Sequence, residues 1–443
     1  MSPAISAHRF DRIMNGNSKR KDDSHSISIL KSQLETVAKF YKEVANSPHP
    51  VDRLLGNFFH RFRKRFGSRD RKVISETCYG IFRHKLLIES WISQRNEKIP
   101  LLEPLAALAA EGLIDAKTFS ELWPCRGAEE LYQGLKNKQL PASFFQLNFE
   151  ESLSRRFSFP LELVKRWLVR FGEETCGKLL QAMNERPPLI LRVNPLRISR
   201  DELIGRLSQK GHEALPGLLS PWGVKVLERF NVFEMEEFKQ GFFEVQDEGS
   251  QLVALAVDPR PGEIVWDACA GGGGKTLILA ALMKNKGRVI ATDIRPAKLA
   301  DLRKRAKRAG IFNVFPADLK RLDQSSLFKR GVDRILIDAP CSGTGTLRRN
   351  PDAKWKLSLE KLAACQKDQR QILEQYYSYL KPGGRLVYAT CSIEPEENEA
   401  VVEDFLGNHP EFHRGRADQY LTPHENGTDG FYIACLLRSQ AAL

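Results

Sequence analysis

Two short motifs carry the reactive chemistry of this chain: Asp338-Ala339-Pro340-Cys341-Ser342-Gly343-Thr344-Gly345, and Ala389-Thr390-Cys391-Ser392 ahead of Pro395-Glu396-Glu397-Asn398. Each follows an apolar run that reads as a β-strand. If the two strands are neighbours in one parallel sheet, their carboxyl ends open on one crevice and both thiols face it. Paired thiols beside a carboxylate suit covalent catalysis on an electron-poor ring. Carbon 5 of a pyrimidine does not take a methyl group unaided. A thiolate adding at carbon 6 makes carbon 5 enamine-like, and a base must then remove the carbon-5 proton before the thiolate can leave. Asp338 is expected to hydrogen-bond the base edge and stabilise the developing charge. A free thiol is only a few per cent ionised at neutral pH, so the pocket is expected to lower its pKa through nearby helix N-termini.

A third motif lies upstream. The run EIVWDA leads into Cys269-Ala270-Gly271-Gly272-Gly273-Gly274-Lys275-Thr276, after which a helix is expected. Glycines at a strand-to-helix turn let backbone N–H groups approach a ligand. A phosphate loop would need glycine at position 269, where cysteine stands. A nucleoside site instead needs an acidic residue about 20 positions on, for the ribose hydroxyls, and Asp293 closes RVIATD there. Asp318, after the third strand, is expected to border an adenine, and Asp338 to lie beside a reacting methyl group. Three carboxylates at three strand ends would repel phosphates, which favours S-adenosyl-L-methionine over a nucleoside triphosphate. Any single one of them could equally be capping a helix.

Two rival readings remain at this level. One is a non-catalytic RNA-binding or ribosome-assembly factor. The other is an amino-group methyltransferase, which would carry an aromatic residue after the proline where Cys341 stands.

The elements that must position these residues lie in the C-terminal part. Strands are expected at EIVWDA, RVIATD, NVFPAD, DRILIDA, RLVYATC and GFYIACLLR, with helices following Lys275, Pro296, Leu359 and Pro395. This alternation predicts an α/β fold, a Rossmann-like doubly wound sheet, over residues 246–443. Residues 145–245 open with helical stretches and continue into short strands such as LILRVN, predicting a small α+β module. Residues 28–140 place apolar residues three and four apart with Arg and Lys opposite, predicting an all-α domain with a basic surface. Residues 1–27 are polar and aperiodic, predicting a disordered basic arm.

With 443 residues, 42% of them hydrophobic, the chain can bury a sizeable core. No apolar stretch is long enough for a membrane span, and the N-terminus lacks the apolar core of a signal peptide, so a cytosolic protein without a membrane partner is expected. The formal net charge of +13 points to a polyanionic partner, nucleic acid first. Eight cysteines are scattered without CxxC pairs, which argues for reduced thiols and against a metal site. A monomer is expected.

These residues resemble a known family, the Nop/Sun group of RNA cytosine-C5 methyltransferases, and within it the RsmB-like bacterial ribosomal RNA enzymes. The resemblance rests on FFEVQDEGSQLVA, DACAGGGGKT, ATDIRPAKL, LIDAPCSGTGTLRRNPDAKW, LKPGGRLVYATCSIEPEEN and GFYIACLLR, in family order and spacing. It implies that Cys391 is the nucleophile, that Cys341 releases the product, and that residues 269–275, Asp293, Asp318 and Asp338 bind S-adenosyl-L-methionine. It also implies small-subunit (16S) ribosomal RNA as the substrate. Gly271 and Gly272 stand where the family commonly has Ala and Pro. VDRLLGNFFHRF and SRDRKVISETCYGIFRH look like the NusB-type RNA-binding domain of RsmB-like members, and LILRVNPLRISRDELIGRL like the family's small RNA-recognition module, with Pro195 where threonine is usual.

Overall fold

A computed structural model describes residues 23–94, 101–319 and 330–440; the arm expected over residues 1–27 lies outside the described residues up to residue 22. The chain divides into two compact units, residues 1–185 together with Leu347–Lys356, and residues 186–346 together with Leu357–Leu443.

The first unit is helical. Helix Asp23–Val44 contributes Leu30, Leu34 and Val37 to its core, and helix Ser68–Arg83 contributes Val73, Ile74, Cys78 and Ile81 at the i, i+3, i+4 spacing of one buried face. Helix Leu102–Ala110 is buried almost all round, so its sequence is apolar apart from Glu103. Asp115 and Asn148 cap the helices that follow them, accepting from the amides of Thr118 and Glu151. Helices Phe149–Phe157 and Leu161–Asn184 belong to this unit too, the second interrupted at Gly172, whose φ is +74°.

Leu347–Lys356, the RRNPDAKW stretch, folds into the same unit. Lys354 is buried there, its ammonium donating to the Arg83 carbonyl at 3.0 Å and to Asn184 Oδ1 at 3.2 Å. The Trp355 indole N–H donates to the Phe82 carbonyl at 2.8 Å. Burial pushes the Lys354 ammonium well below its usual pKa.

The second unit holds two sheets. The smaller is antiparallel, in the order β2-β3-β1-β4, from β1 (Leu189–Val193), β2 (Ala214–Pro216), β3 (Gly223–Val226) and β4 (Phe243–Val245), packed with helix Arg200–Gln209. The larger is built from β5 (Ile264–Asp267), β6 (Arg288–Ala291), β7 (Val314–Pro316), β8 (Val332–Asp338), β9 (Leu380–Thr390), β10 (Phe412–Arg414), β11 (Gln419–Leu421) and β12 (Phe431–Arg438). Its order is β10-β12-β9-β8-β5-β6-β7, with β11 also paired to β12. β5 to β9 pair in parallel, whereas β12 runs antiparallel to β9. Both faces are covered, which is why Trp266, Tyr388 and Tyr432 are fully buried and the parallel strands read as continuous apolar runs.

Strand order reverses between β5 and β8, because the chain leaves β5 toward β6 and β7 and returns to β8 on the other side. This is the switch point at which a doubly wound sheet opens a crevice.

The two sheets are joined within the unit by polar contacts. The Arg192 guanidinium on β1 donates to Gln246 Oε1 and to the Gly274 carbonyl, and Glu244 on β4 pairs with Arg305 and Arg308 of helix Pro296–Ala309.

Two details differ from the sequence expectation. The segment expected to be helical from Pro395 is a short turn, Pro395–Glu397. The helix proper, Glu399–Asn408, starts after Asn398, whose backbone (φ −112°, ψ −103°) is not helical. The Asn398 side chain is held instead by Thr390 Oγ1 and the Ser392 carbonyl. Strands β10 and β11 were not expected, since three residues each (FHR and QYL) carry too little apolar alternation to register.

Candidate active site

The end of β5 builds the floor of the site. The Asp267 carboxylate is buried and accepts a hydrogen bond from Thr276 Oγ1 at 2.7 Å. Burial, reinforced by nearby Asp338, pushes it up to about 7. Ala270 is buried on the loop that follows, and Cys269 is half-buried, its thiol pushed up by burial. Gly271 and Gly273 hold φ of +54° and +84°, a region that side-chain-bearing residues rarely adopt. A Cβ at Gly271 would meet open space, whereas one at Gly273 would lie 2.0 Å from Leu302 Cδ1. The Gly272 carbonyl takes Arg305 Nη1 at 2.7 Å, and Gly274 and Lys275 open helix Gly274–Leu282.

Asp293, just after β6, receives the Gly271 amide on Oδ2 at 2.9 Å and the Arg295 amide on Oδ1 at 2.8 Å. Its carboxylate thereby sets the curvature of the loop. Asp338, at the end of β8, pairs with Lys275 Nζ at 2.6 Å. Burial alone would lower the pKa of that ammonium, but the Asp338 carboxylate outweighs it and the net shift is upward. Lys275 also faces the Phe431 ring at 5.5 Å. Asp318 stands exposed beyond the end of β7, and the adjoining residues 320–329 lie outside the described residues.

The cysteines meet. β8 and β9 pair in parallel with Asp338 opposite Ala389, so the loops after both strands start from the same level of the sheet. Cys341 Sγ lies 3.3 Å from Cys391 Sγ, and both are free thiols. The Cys341 thiol is pushed well above its ordinary pKa, first by its hydrogen bond to Cys391 and then by burial. The general lowering expected from helix N-termini is therefore reversed at Cys341, because two sulfurs this close cannot both carry charge. One sulfur keeps the proton and the other can ionise. The Gly345 amide donates to the Cys391 carbonyl at 2.9 Å, and Thr344 Oγ1 lies 3.0 Å from Ser392 Oγ, so the two loops are tied by backbone and side chain alike.

The structure thus brings together Cys341, Cys391, Asp338, Lys275, Asp293 and the loop from Cys269 to Gly274. Sequence reasoning missed Asp267 and Thr276 under the loop. It also missed Glu397, a fully buried acid bonded to both Ser342 and Ser392. The available signal was the repeated Cys-Ser dipeptide, since two identical pairs at two neighbouring strand ends call for a common partner.

The donor set fits an adenosyl sulfonium better than a triphosphate. Lys275 is neutralised by Asp338 and the Gly271 N–H is taken by Asp293, so a polyphosphate would find carboxylates where it needs donors. A cationic methyl donor would be stabilised by the same groups. Among the described residues no cluster of His, Cys, Asp and Glu could hold a metal ion, and no helix is long and apolar enough to cross a membrane.

Comparison with known proteins gives matches over most of the chain. Residues 254–437 match the family described as "16S rRNA methyltransferase RsmB/F", and residues 159–233 match the "Methyltr_RsmF/B-like, ferredoxin-like domain". The chain is similar to "Probable ribosomal RNA small subunit methyltransferase B" of Bacillus subtilis, at 35% identity over 65% of this chain and 68% of that protein. It is also similar to "Ribosomal RNA small subunit methyltransferase B" of Pectobacterium carotovorum, at 32% identity over 85% and 92%. Among solved structures, a "Methyltransferase Homolog Protein" from Pyrococcus horikoshii superposes with a TM-score of 0.60 at 31% identity, covering 66% of this chain and 99% of that one.

Proposed function

Since the chain belongs to the RsmB/F family of 16S rRNA methyltransferases, we propose that it methylates carbon 5 of a cytosine in 16S ribosomal RNA, drawing the methyl group from S-adenosyl-L-methionine through a transient cysteine–cytosine bond. The observation that carries this reading is the pair of sulfurs 3.3 Å apart at the ends of adjacent strands, beside Asp338 and the glycine loop.

The reaction runs as follows on these residues. Cys391, ionised while Cys341 holds the shared proton, adds to carbon 6 of the ring. Asp338, fixed by Lys275, accepts a hydrogen bond from the exocyclic amine of the cytosine and so orients the ring for that addition. Residues 269–275 with Asp293, Asp318 and Asp338 would hold S-adenosyl-L-methionine, which when bound would supply an electrophilic methyl group for carbon 5. Once the Cys391 sulfur is bonded to carbon its charge is gone and it is a much weaker acceptor, so the hydrogen bond that contributes most to the high proton affinity of Cys341 is weakened. Cys341 can then lose its proton to solvent and take the proton from carbon 5. That C–H bonding pair restores the ring double bond, the carbon–sulfur bond breaks, and Cys391 leaves as thiolate, which regenerates the starting pair.

RNA as the partner is supported by the helical unit, read as a NusB-type RNA-binding domain. From the end of helix Val51–Arg61 into the first turns of helix Ser68–Arg83, the residues Arg61, Arg63, Lys64, Arg65, Arg69 and Lys72 are exposed, with no ion-pair partner among the described residues. Arg61 and Arg65 lie over the rings of Phe62 and Phe66. Unpaired cations interleaved with aromatics suit a phosphate backbone.

Labelled S-adenosyl-L-methionine with small-subunit ribosomal RNA should give 5-methylcytidine. RNA carrying 5-azacytosine or 5-fluorocytosine should become covalently attached to the protein, and Cys391→Ala should do neither. Label on an exocyclic amine or on ribose would refute the proposal.

A further inference from the structure

Glu397 closes the turn Pro395–Glu397 and is fully buried. Its carboxylate collects donors from both cysteine loops. Oε1 accepts from the Ser342 amide at 2.7 Å and from Gln369 Nε2 at 3.2 Å, and Oε2 accepts from the hydroxyls of Ser342 and Ser392. Four donors match the acceptor capacity of an ionised carboxylate, which has no proton to give. The backbone of Glu397 is fixed independently, since its carbonyl takes the Tyr388 hydroxyl at 2.6 Å. Gln369, on helix Leu359–Tyr376, also donates to the Pro340 carbonyl at 2.9 Å, and so braces the residue before Cys341.

We propose that Glu397 is the positioning residue of the reaction: it clamps the loop after β8 to the loop after β9 and so sets the separation of the Cys341 and Cys391 sulfurs. The inference rests on the two-cysteine reading. Ser342 and Ser392 each follow a cysteine directly, so a single carboxylate that grips both serines fixes both sulfurs through one peptide unit each. The Glu397 carboxylate reaches both serines with charge-assisted bonds, which are shorter and roughly twice as strong as neutral ones. The negative charge of Glu397 has a second effect, raising the proton affinity of the Cys341 thiol. It therefore helps to keep the proton on Cys341 while Cys391 is the ionised partner.

A carboxamide replaces this group only in part, since it lacks the charge and reverses the direction of the bonds on one side. Glutamine presents one NH2, which must face either the Ser342 amide and Gln369 or the two serine hydroxyls, and in the first orientation donor meets donor. Aspartate keeps the charge but is one methylene shorter.

The test compares the wild-type chain with Glu397→Gln, Glu397→Asp and Ser392→Ala. It measures turnover on small-subunit ribosomal RNA, the fraction of protein recovered as a covalent RNA adduct on unmodified RNA, the pH–rate profile, and S-adenosylhomocysteine affinity. Misplacing a reacting group by about 1 Å costs on the order of 100-fold in rate, and that loss is expected for Glu397→Gln. Adduct should accumulate because release by Cys341 fails, S-adenosylhomocysteine affinity should be retained, and the alkaline limb of the profile should move to lower pH. Glu397→Asp should recover part of the rate.

Wild-type turnover and an unmoved profile in Glu397→Gln would overturn the proposal, and so would a loss that merely follows S-adenosylhomocysteine affinity. If Glu397→Gln does not fold, Ser392→Ala decides: slower turnover with adduct accumulation supports the clamp, and unchanged turnover overturns it. If the wild-type chain itself neither methylates nor forms adduct, the two-cysteine reading fails instead.

Discussion

Replacing Gly273 and Gly271 by alanine, one at a time, tests whether the glycine loop is shaped by packing from below or only by its own backbone. Both residues sit in the left-handed region, with φ of +84° and +54°, so each alanine incurs about 1–2 kcal/mol of backbone strain. Their surroundings differ. At Gly271 the new methyl group enters open space, while at Gly273 it would fall 2.0 Å from Leu302 Cδ1, 3.0 Å from Cγ and 3.2 Å from Cβ. Leu302 is fully buried on helix Pro296–Ala309 and cannot swing away without disturbing the core beneath the loop. Overpacking of this kind adds about 1–3 kcal/mol. The sum for Gly273→Ala is then about 2–5 kcal/mol, against about 1–2 kcal/mol for Gly271→Ala. If the strain falls on the ligand-competent loop, the difference corresponds to roughly 5-fold to 150-fold weaker binding of S-adenosylhomocysteine to the Gly273 variant. Isothermal titration calorimetry on the full chain reads this directly. Equal affinities for the two variants would refute the claim that Leu302 supports the loop.

Two further outcomes follow from the helical unit. Changing Arg61, Arg63 and Arg65 together to alanine should weaken RNA binding and lower the slope of log affinity against log salt by about 2 to 3, as three phosphate contacts are lost; an unchanged slope would remove this patch from the RNA interface. His84 is buried, and burial together with the charges of Lys138 and Arg83 outweighs its bond to Glu111 and lowers its pKa from 6.5 to about 3. A histidine depressed in the folded state leaves stability intact above its unfolded pKa and erodes it as pH falls. The helical unit should therefore lose about 1.4 kcal/mol per pH unit below 6.5, seen as falling protection factors in helix Ser68–Arg83 once exchange is corrected for its intrinsic pH dependence. His84→Gln should flatten that dependence, and wild-type protection factors unchanged from pH 7.5 to 5.5 would contradict it.

What local sequence could determine was the alternation of elements and the chemistry of the strand ends. Parallel strands covered on both faces need unbroken apolar runs, and EIVWDA, DRILIDA and RLVYATC announce themselves by an Asp or Cys in their last two positions. The loop Cys269–Gly274 and the residues Asp293, Asp338, Cys341 and Cys391 were identifiable for the same reason, since each lies within a few positions of a strand terminus. Tertiary structure decided what those groups touch. Cys341 and Cys391 are 50 positions apart, and only the β8–β9 pairing brings their sulfurs to 3.3 Å. Glu397 looks like an ordinary helix-start acid until the fold closes both Cys-Ser loops over it. Lys354 looks like a surface cation, yet it is buried because its partner carbonyl on Arg83 lies 271 positions away. Propensity and hydrophobic period act over a few residues, whereas the partner of a buried polar group is chosen by topology.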